Sequence, residues 1–251
     1  MTAAFADISL LQLASVAIVA LFASLLGGVT GYGTGALVPL ALVPIVGPEP
    51  TVPIIVISGL LTNTSRAAAF LSFIDWRHVL LVLVGAAIPC VVTAYGYTLL
   101  TGQGAMAVIG GTLALTVPLR HLLKHRMLVL GDRGLLAGGA GYGVAAGGTV
   151  GGGIILLSLL MAAGLEGQAV VATSAAISIA IGLLRTTAFG AAGAVNAEVV
   201  ALSLLIGLIA FPGAFLAKGF VARLPMHLHT VILDATVLIG GMAMIIDAFR
   251  R

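Results

Sequence analysis

Ten apolar stretches follow one another along this 251-residue chain, with only short polar turns between them. In order they are Leu10–Leu26, Ala36–Gly47, Val52–Leu71, Val79–Leu99, Ala105–Leu119, Gly134–Ala146, Ile154–Ala163, Gly167–Phe189, Ala197–Val221 and Thr230–Ile246. Such a succession cannot be divided between a core and a wetted surface. Only 8% of residues are charged, 61% are hydrophobic and the mean hydropathy is +1.24, against about a quarter charged in a soluble domain. Lipid is the expected solvent. There every backbone N–H and C=O must find a partner within the protein, which an α-helix does inside a single segment. The expectation is an all-α, polytopic, multi-pass integral membrane protein with the lipid bilayer as its surroundings. The net charge of +3 follows from basic loops and does not suggest nucleic acid as a partner. No Lys or Arg precedes Arg66, and Asp7 is the only charge before the first stretch. Leu10–Leu26 therefore reads as a retained membrane segment, not a secretory signal with a basic start.

Several stretches reach the ~20 residues a spanning helix needs, but Ala36–Gly47 and Ile154–Ala163 are too short. Each follows a glycine run: Gly31-Tyr32-Gly33-Thr34-Gly35 in the first half, Gly147-Gly148-Thr149-Val150-Gly151-Gly152-Gly153 in the second. Glycine is a poor helix former, so these runs predict broken or re-entrant helices, tolerated only where the backbone lines a cavity or is buried in protein. Each half also carries one lone arginine in a later stretch, Arg66 and Arg185. A charge at that depth costs ~2.5–3.5 kcal/mol on insertion scales, and two such residues in matching places suggest a site.

The halves correspond in order. Gly33 and Gly35 fall on Gly151 and Gly153, Glu49 near Glu166, Arg66 on Arg185, and Asp75 close to Asn196. An internal duplication accounts for this, with residues 1–126 as a first transmembrane repeat and 127–251 as a second. The linker holds Arg120, Lys124, Arg126 and Arg133 and is expected to be cytoplasmic. If each glycine run is the turn of a hairpin, the repeats are inverted. Arg77 and the loop with Lys218 and Arg223 then lie inside and Glu198 outside, with Arg250-Arg251 the exception. If the runs are kinks in continuous helices, the repeats are parallel. The inverted arrangement is preferred because it places more basic loops inside.

Asn63 and Thr62 lie three and four residues before Arg66, on one helical face, and Ser58 continues that face. Arg185 shares its face with Ser178 and Ser174. It stands nearer the end of its segment, where a snorkelling side chain is the competing reading, so its assignment leans on its counterpart. Guanidinium and hydroxyl groups all donate, which suits an oxyanion. A helix beginning at Gly35 or Gly153 adds unpaired N–H groups and a positive dipole end. The candidate substrate-binding residues are thus Arg66, Arg185, Asn63, Thr62, Ser58, Ser174 and Ser178, with Gly31, Gly33, Gly35, Gly151, Gly152 and Gly153. Gly138–Gly143, Gly110-Gly111 and Gly240-Gly241 read as close helix packing. His78, His121, His125, His227 and His229 fall in or beside loops, and Asp234 and Asp247 lie near segment ends. No catalytic residues, metal site or cofactor are expected. Cys90, in an apolar run, reads as a buried inert thiol.

The run Gly31-Tyr32-Gly33-Thr34-Gly35 followed by Pro39, the polar segment Asn63-Thr64-Ser65-Arg66 and the exit Ile74-Asp75-Trp76-Arg77 resemble the TauE/SafE sulfite exporter family. The second half, with Gly151-Gly152-Gly153, Thr173-Ser174 and Arg185, is similar to that family's second repeat. Two departures stand out: Tyr32 and Thr34 replace further glycines, and Val195-Asn196-Ala197-Glu198 replaces a second Asp-Trp-Arg exit. The resemblance implies an inner-membrane secondary transporter that moves sulfite or a related organosulfur anion outward. Alternating exposure of a site between the repeats would carry the anion, and a membrane potential worth ~2.3 kcal/mol per charge per 100 mV favours its exit. A passive small-anion channel using the same arginines is the alternative, and a binding or assembly subunit a third. The sequence leaves room for a homo-oligomer.

Overall fold

The computed structural model describes residues 9–30, 33–125, 130–150, 152–213, 215–216 and 226–250. Gly31, Tyr32, Gly151, Arg251 and the loop bearing Lys218 and Arg223 lie outside the described residues. The described chain is helical throughout: α1 (Leu10–Thr30), α2 (Gly33–Val46), α3 (Pro48–Ala69), α4 (Trp76–Thr98), α5 (Gly102–His125), α6 (Asp132–Gly147), α7 (Gly153–Ala162), α8 (Gly167–Ala191), α9 (Ala197–Ala210) and α10 (Met226–Arg250). A 3-10 turn at Leu71–Phe73 joins α3 to α4. With 22, 23 and 25 residues, α3, α4 and α8 are long and apolar enough to cross a membrane. The outer face of α4, Leu80, Val84, Ile88 and Val92 at helical spacing, is exposed and apolar, as lipid requires. The chain is a multi-pass membrane protein.

Local chemistry sets the helix boundaries. Gly47 takes φ +84° just before α3, a backbone region that side chains disfavour, and Pro48 follows at the first helical position, where no N–H is needed. The Asp75 carboxylate caps α4 by accepting from the N–H groups of Arg77 and His78, both at 3.1 Å. The Asn196 side-chain Oδ1 caps α9 by accepting from Val199 N–H at 2.8 Å. The two residues that the sequence places in correspondence thus do the same work. One boundary is corrected. The stretch Ala197–Val221 is not one helix, because α9 ends at Ala210, just before Pro212, which has no N–H to extend the ladder.

The α6–α7 unit is a hairpin. Leu130 N–H, just before α6, donates to the Ala162 carbonyl at the end of α7 at 2.8 Å, so the chain enters and leaves at one end. In the first half, Val16, Ala20 and Ala23 of α1 share an apolar cluster with Val38 and Leu42 of α2. The centre is α3, packed on α2, α8 and α9. Its consecutive Leu60 and Leu61 fit against Gly182 of α8 and Gly207 of α9, where an added Cβ would collide with them. Residues 56–60 lie beside Gly182, while Asp75, past the end of α3, donates its N–H to Thr173 Oγ1 of α8 at 3.0 Å. Helices α3 and α8 therefore run in opposite directions.

Close helix packing through glycine holds two further pairs. Gly139 and Gly143 of α6 lie against the backbone of Val82 and Ala86 of α4, residue for residue in the same direction. A Cβ at Gly241 of α10 would lie 3.0 Å from the Gly110 carbonyl and 2.8 Å from Ala114 N of α5. Small residues let backbones approach where no hydrophobic force drives association. Gly111 and Gly141, by contrast, face open space. At one end, an exposed bidentate pair between Arg77 Nη2 and the Asp132 carboxylate, at 2.5 and 2.7 Å, joins the starts of α4 and α6. At the other end, Glu49, Tyr97 and Asn196 come together.

Candidate functional site

Where α3 and α8 cross, a cavity of about 110 Å³ opens among four groups of residues. From α3 come Gly59, Asn63 and Arg66; from α8, Ser178, Gly182 and Arg185. Tyr142 of α6 faces it, the first turn of α2 contributes Thr34 and Gly35, and the start of α7 with the residues before it contributes Thr149, Gly152 and Gly153. The sequence had these features spread along both halves, and the fold brings them to one place.

Arg66 is only 8% exposed, which decides against a snorkelling side chain. Its Nη2 donates to Asn63 Oδ1 one turn earlier on α3, so the polar stripe of that helix does turn inward. Arg185 is also drawn inward, and to a definite purpose. Its Nε donates to the Gly147 carbonyl at 2.9 Å and its Nη2 to the Thr149 carbonyl at 2.8 Å. These carbonyls belong to the interruption between α6 and α7, where a broken helix leaves acceptors without helical N–H partners. The guanidinium carbon also lies 5.9 Å from the centre of the Phe189 ring, within cation–π range.

Three predicted residues lie outside the lining. Ser58, Thr62 and Ser174 are buried, but their hydroxyls donate to carbonyls three residues back, Ile55 at 3.1 Å, Gly59 at 3.2 Å and Val171 at 3.0 Å. Helical back-bonding satisfies them where they stand. Gly31 and Gly151 lie outside the described residues, and α2 begins at Gly33. The sequence reading missed Tyr142, Thr34, Thr149, Gly59 and Gly182. Tyr142 left a trace: it is the only large side chain between Gly138 and Gly143, and it lines the cavity together with Ser178.

Among the described residues no carboxylate lines the cavity, while two guanidinium groups, several hydroxyls and the first turns of α2 and α7 do. Donors and positive dipole ends together make an environment for an anion. Among the described residues no group of His, Cys, Asp and Glu is placed to hold a metal. The profile of the family "Sulfite exporter TauE/SafE" matches residues 16–244, a span that takes in every element lining the cavity. The chain belongs to the TauE/SafE family. No curated protein and no solved structure matches it. TauE/SafE members are membrane transporters of the sulfite-exporter type and not enzymes.

Proposed function

We propose that the cavity is the substrate site of a secondary transporter that exports sulfite, or a related small organosulfur anion, across the bacterial inner membrane by alternating access. The observation that carries this reading is that Arg66 and Arg185, one from each half of the chain, line a single cavity together with the first turns of α2 and α7, and among the described residues no carboxylate joins them. Arg66 with Asn63 and Ser178 would hold the oxyanion from the helix faces. The first turns of α2 and α7 would face it with N–H groups.

The arrangement of helices favours two inverted repeats, 1–126 and 127–251. Counterpart helices α3 and α8 run in opposite directions, as do α5 and α10, whose contacts pair Gly110 with Met244 and Ala114 with Gly241. Exchanging the halves also turns one set of neighbours into the other. Thus α4 packs on α6 and α8, while α9 packs on α1 and α3. A site between two such halves can be exposed by rocking one against the other. The end bearing Arg77 and the basic linker would be cytoplasmic, which leaves the Glu49 end for release.

Purified protein in proteoliposomes should show saturable sulfite uptake that is accelerated by internal sulfite. Linear, non-saturating flux would replace the transporter by a channel. Intact saturable flux in both Arg66→Ala and Arg185→Ala would remove the site from the cavity.

A further inference from the structure

A second cavity of about 510 Å³ lies at the Glu49 end, lined by the first turn of α3, the end of α4 and the turn between α8 and α9. Along α3 the two linings nearly meet: Pro53 faces the outer cavity and Ile55 the inner one. At 1.5 Å per residue that is a separation of ~3 Å. Along α8, Arg185 faces the inner cavity and Ala192 the outer, with Phe189 between them. Phe189 is fully buried and meets the Tyr97 ring edge-on, the ring centres 6.2 Å apart and the planes at 66°. Tyr97 in turn lines the outer cavity and donates its hydroxyl to the Pro48 carbonyl at 2.6 Å. Arg185, the Phe189 ring and the Tyr97 ring thus form a continuous series of contacts from the lining of the inner cavity to that of the outer.

We infer that Tyr97 and Phe189 form the release-side gate of the transporter, an inference that rests on the inner cavity being the substrate site. Edge-to-face rings block ions while held by soft contacts, and the Tyr97 hydroxyl is tied to the start of α3 by its bond to the Pro48 carbonyl. The guanidinium over Phe189 links gate to substrate, because an oxyanion that draws Arg185 toward itself weakens the cation–π contact on the ring. Glu49 stands beyond the gate, where its carboxylate opposes return of a released anion by like-charge repulsion. Sequence reading could not find the pair, since each ring sits in an ordinary apolar segment.

The test reads accessibility, independent of substrate. A reporter cysteine at Gly59, whose added Cβ would meet only Asn63 Nδ2 at 3.8 Å, is placed in a Cys90→Ala background of the full chain. A membrane-impermeant anionic thiol reagent is then applied to each face of sealed, oriented vesicles. With the native rings, labelling from the Glu49 face should be slow. Phe189→Ala should raise that rate tenfold or more, Tyr97→Phe should raise it a few-fold by removing the tie to Pro48, and Phe189→Leu serves as the milder variant if alanine prevents folding. Unchanged labelling in all three, or rapid labelling from the Glu49 face with native rings, overturns the gate. Faster labelling together with absent sulfite flux in every version, native included, supports the gate and overturns sulfite as the substrate. In proteoliposomes loaded with sulfite, the open-gate variants should leak and lose counterflow.

Discussion

Arg185 Nε donates to the carbonyl of Gly147 at 2.9 Å, linking the lone arginine of α8 to the last residue of α6. A second bond from Nη2 to the Thr149 carbonyl spans the first residues of the interruption. The arginine and the glycine run of the second half are thus one unit: the guanidinium donates to two carbonyls of the run. Gly147 has its own reason to lack a side chain, since an added Cβ would strike Thr93 and the Cys90 carbonyl of α4.

Arg185→Lys should separate positioning from charge. An ammonium is a point donor on a flexible stem and cannot reproduce a planar fork across two carbonyls. Bonds from charged donors are worth about 1.5–3 kcal/mol each, so Arg185→Ala should lower the thermal midpoint of the detergent-solubilised protein. Lysine should recover part of that loss and little of the transport rate. Full recovery of transport by lysine would show that only the charge matters.

Arg66 is read through substrate affinity. Its guanidinium lines the cavity and pairs with Asn63 one turn earlier. A lysine cannot reproduce the planar fork of guanidinium donors, so Arg66→Lys should raise the half-saturating sulfite concentration at least tenfold. Asn63→Ala should do the same more weakly. A large stability loss in Arg66→Lys with unaltered saturation would assign the residue to the scaffold.

Much of this was legible in the sequence, for particular reasons. Half-length α2 and α7 were readable because glycine and segment length are both local properties. The caps Asp75 and Asn196 were readable as a matched pair because each ends a polar exit. The opposing faces were harder. Ser58, Thr62 and Ser174 occupy the right turns of the right helices, yet helical periodicity fixes only a face, and a hydroxyl on it can satisfy itself on its own backbone. Tyr142 was hidden because its neighbours were read as packing glycines, which they are. A packing helix that also presents one side chain to a cavity shows both roles only when its partners are in place. The end of α9 was misjudged because Pro212 interrupts an apolar run without changing its hydropathy.

Two glycines of α6 give opposite expectations for the same substitution. A methyl at Gly143 would overlap the Ala86 backbone, which cannot move away without parting α4 from α6, whereas a methyl at Gly141 meets nothing within 4 Å. Overpacking costs about 1–3 kcal/mol, while alanine is favoured over glycine in a helix by roughly 0.5–1 kcal/mol. Gly143→Ala should lower the thermal midpoint and Gly141→Ala should hold or raise it. Equal shifts would mean that the α4–α6 contact is looser than described.

The cap at Asp75 predicts how stability depends on acidity. Its carboxyl is held below the usual value of 3.8, first by hydrogen bonding with the His78 side chain, opposed by partial burial and aided by the N–H groups of His78 and Arg77. His78 Nδ1 lies 2.9 Å from Asp75 Oδ2. A group whose acidity is strengthened by folding stabilises the folded state above its unfolded value, and that contribution fades as pH falls through the lower, folded value. The native protein should therefore lose stability on acidification below pH 3.8 more steeply than Asp75→Asn, which keeps a capping oxygen but has no proton to take up there. At neutral pH, Asp75→Ala should cost about 1 kcal/mol through loss of the cap, with Asp75→Asn nearer to native. Thermal melts of the three proteins at neutral and acid pH make the comparison, and parallel acid limbs in native and Asp75→Asn would show that the carboxylate does not contribute to the pH response.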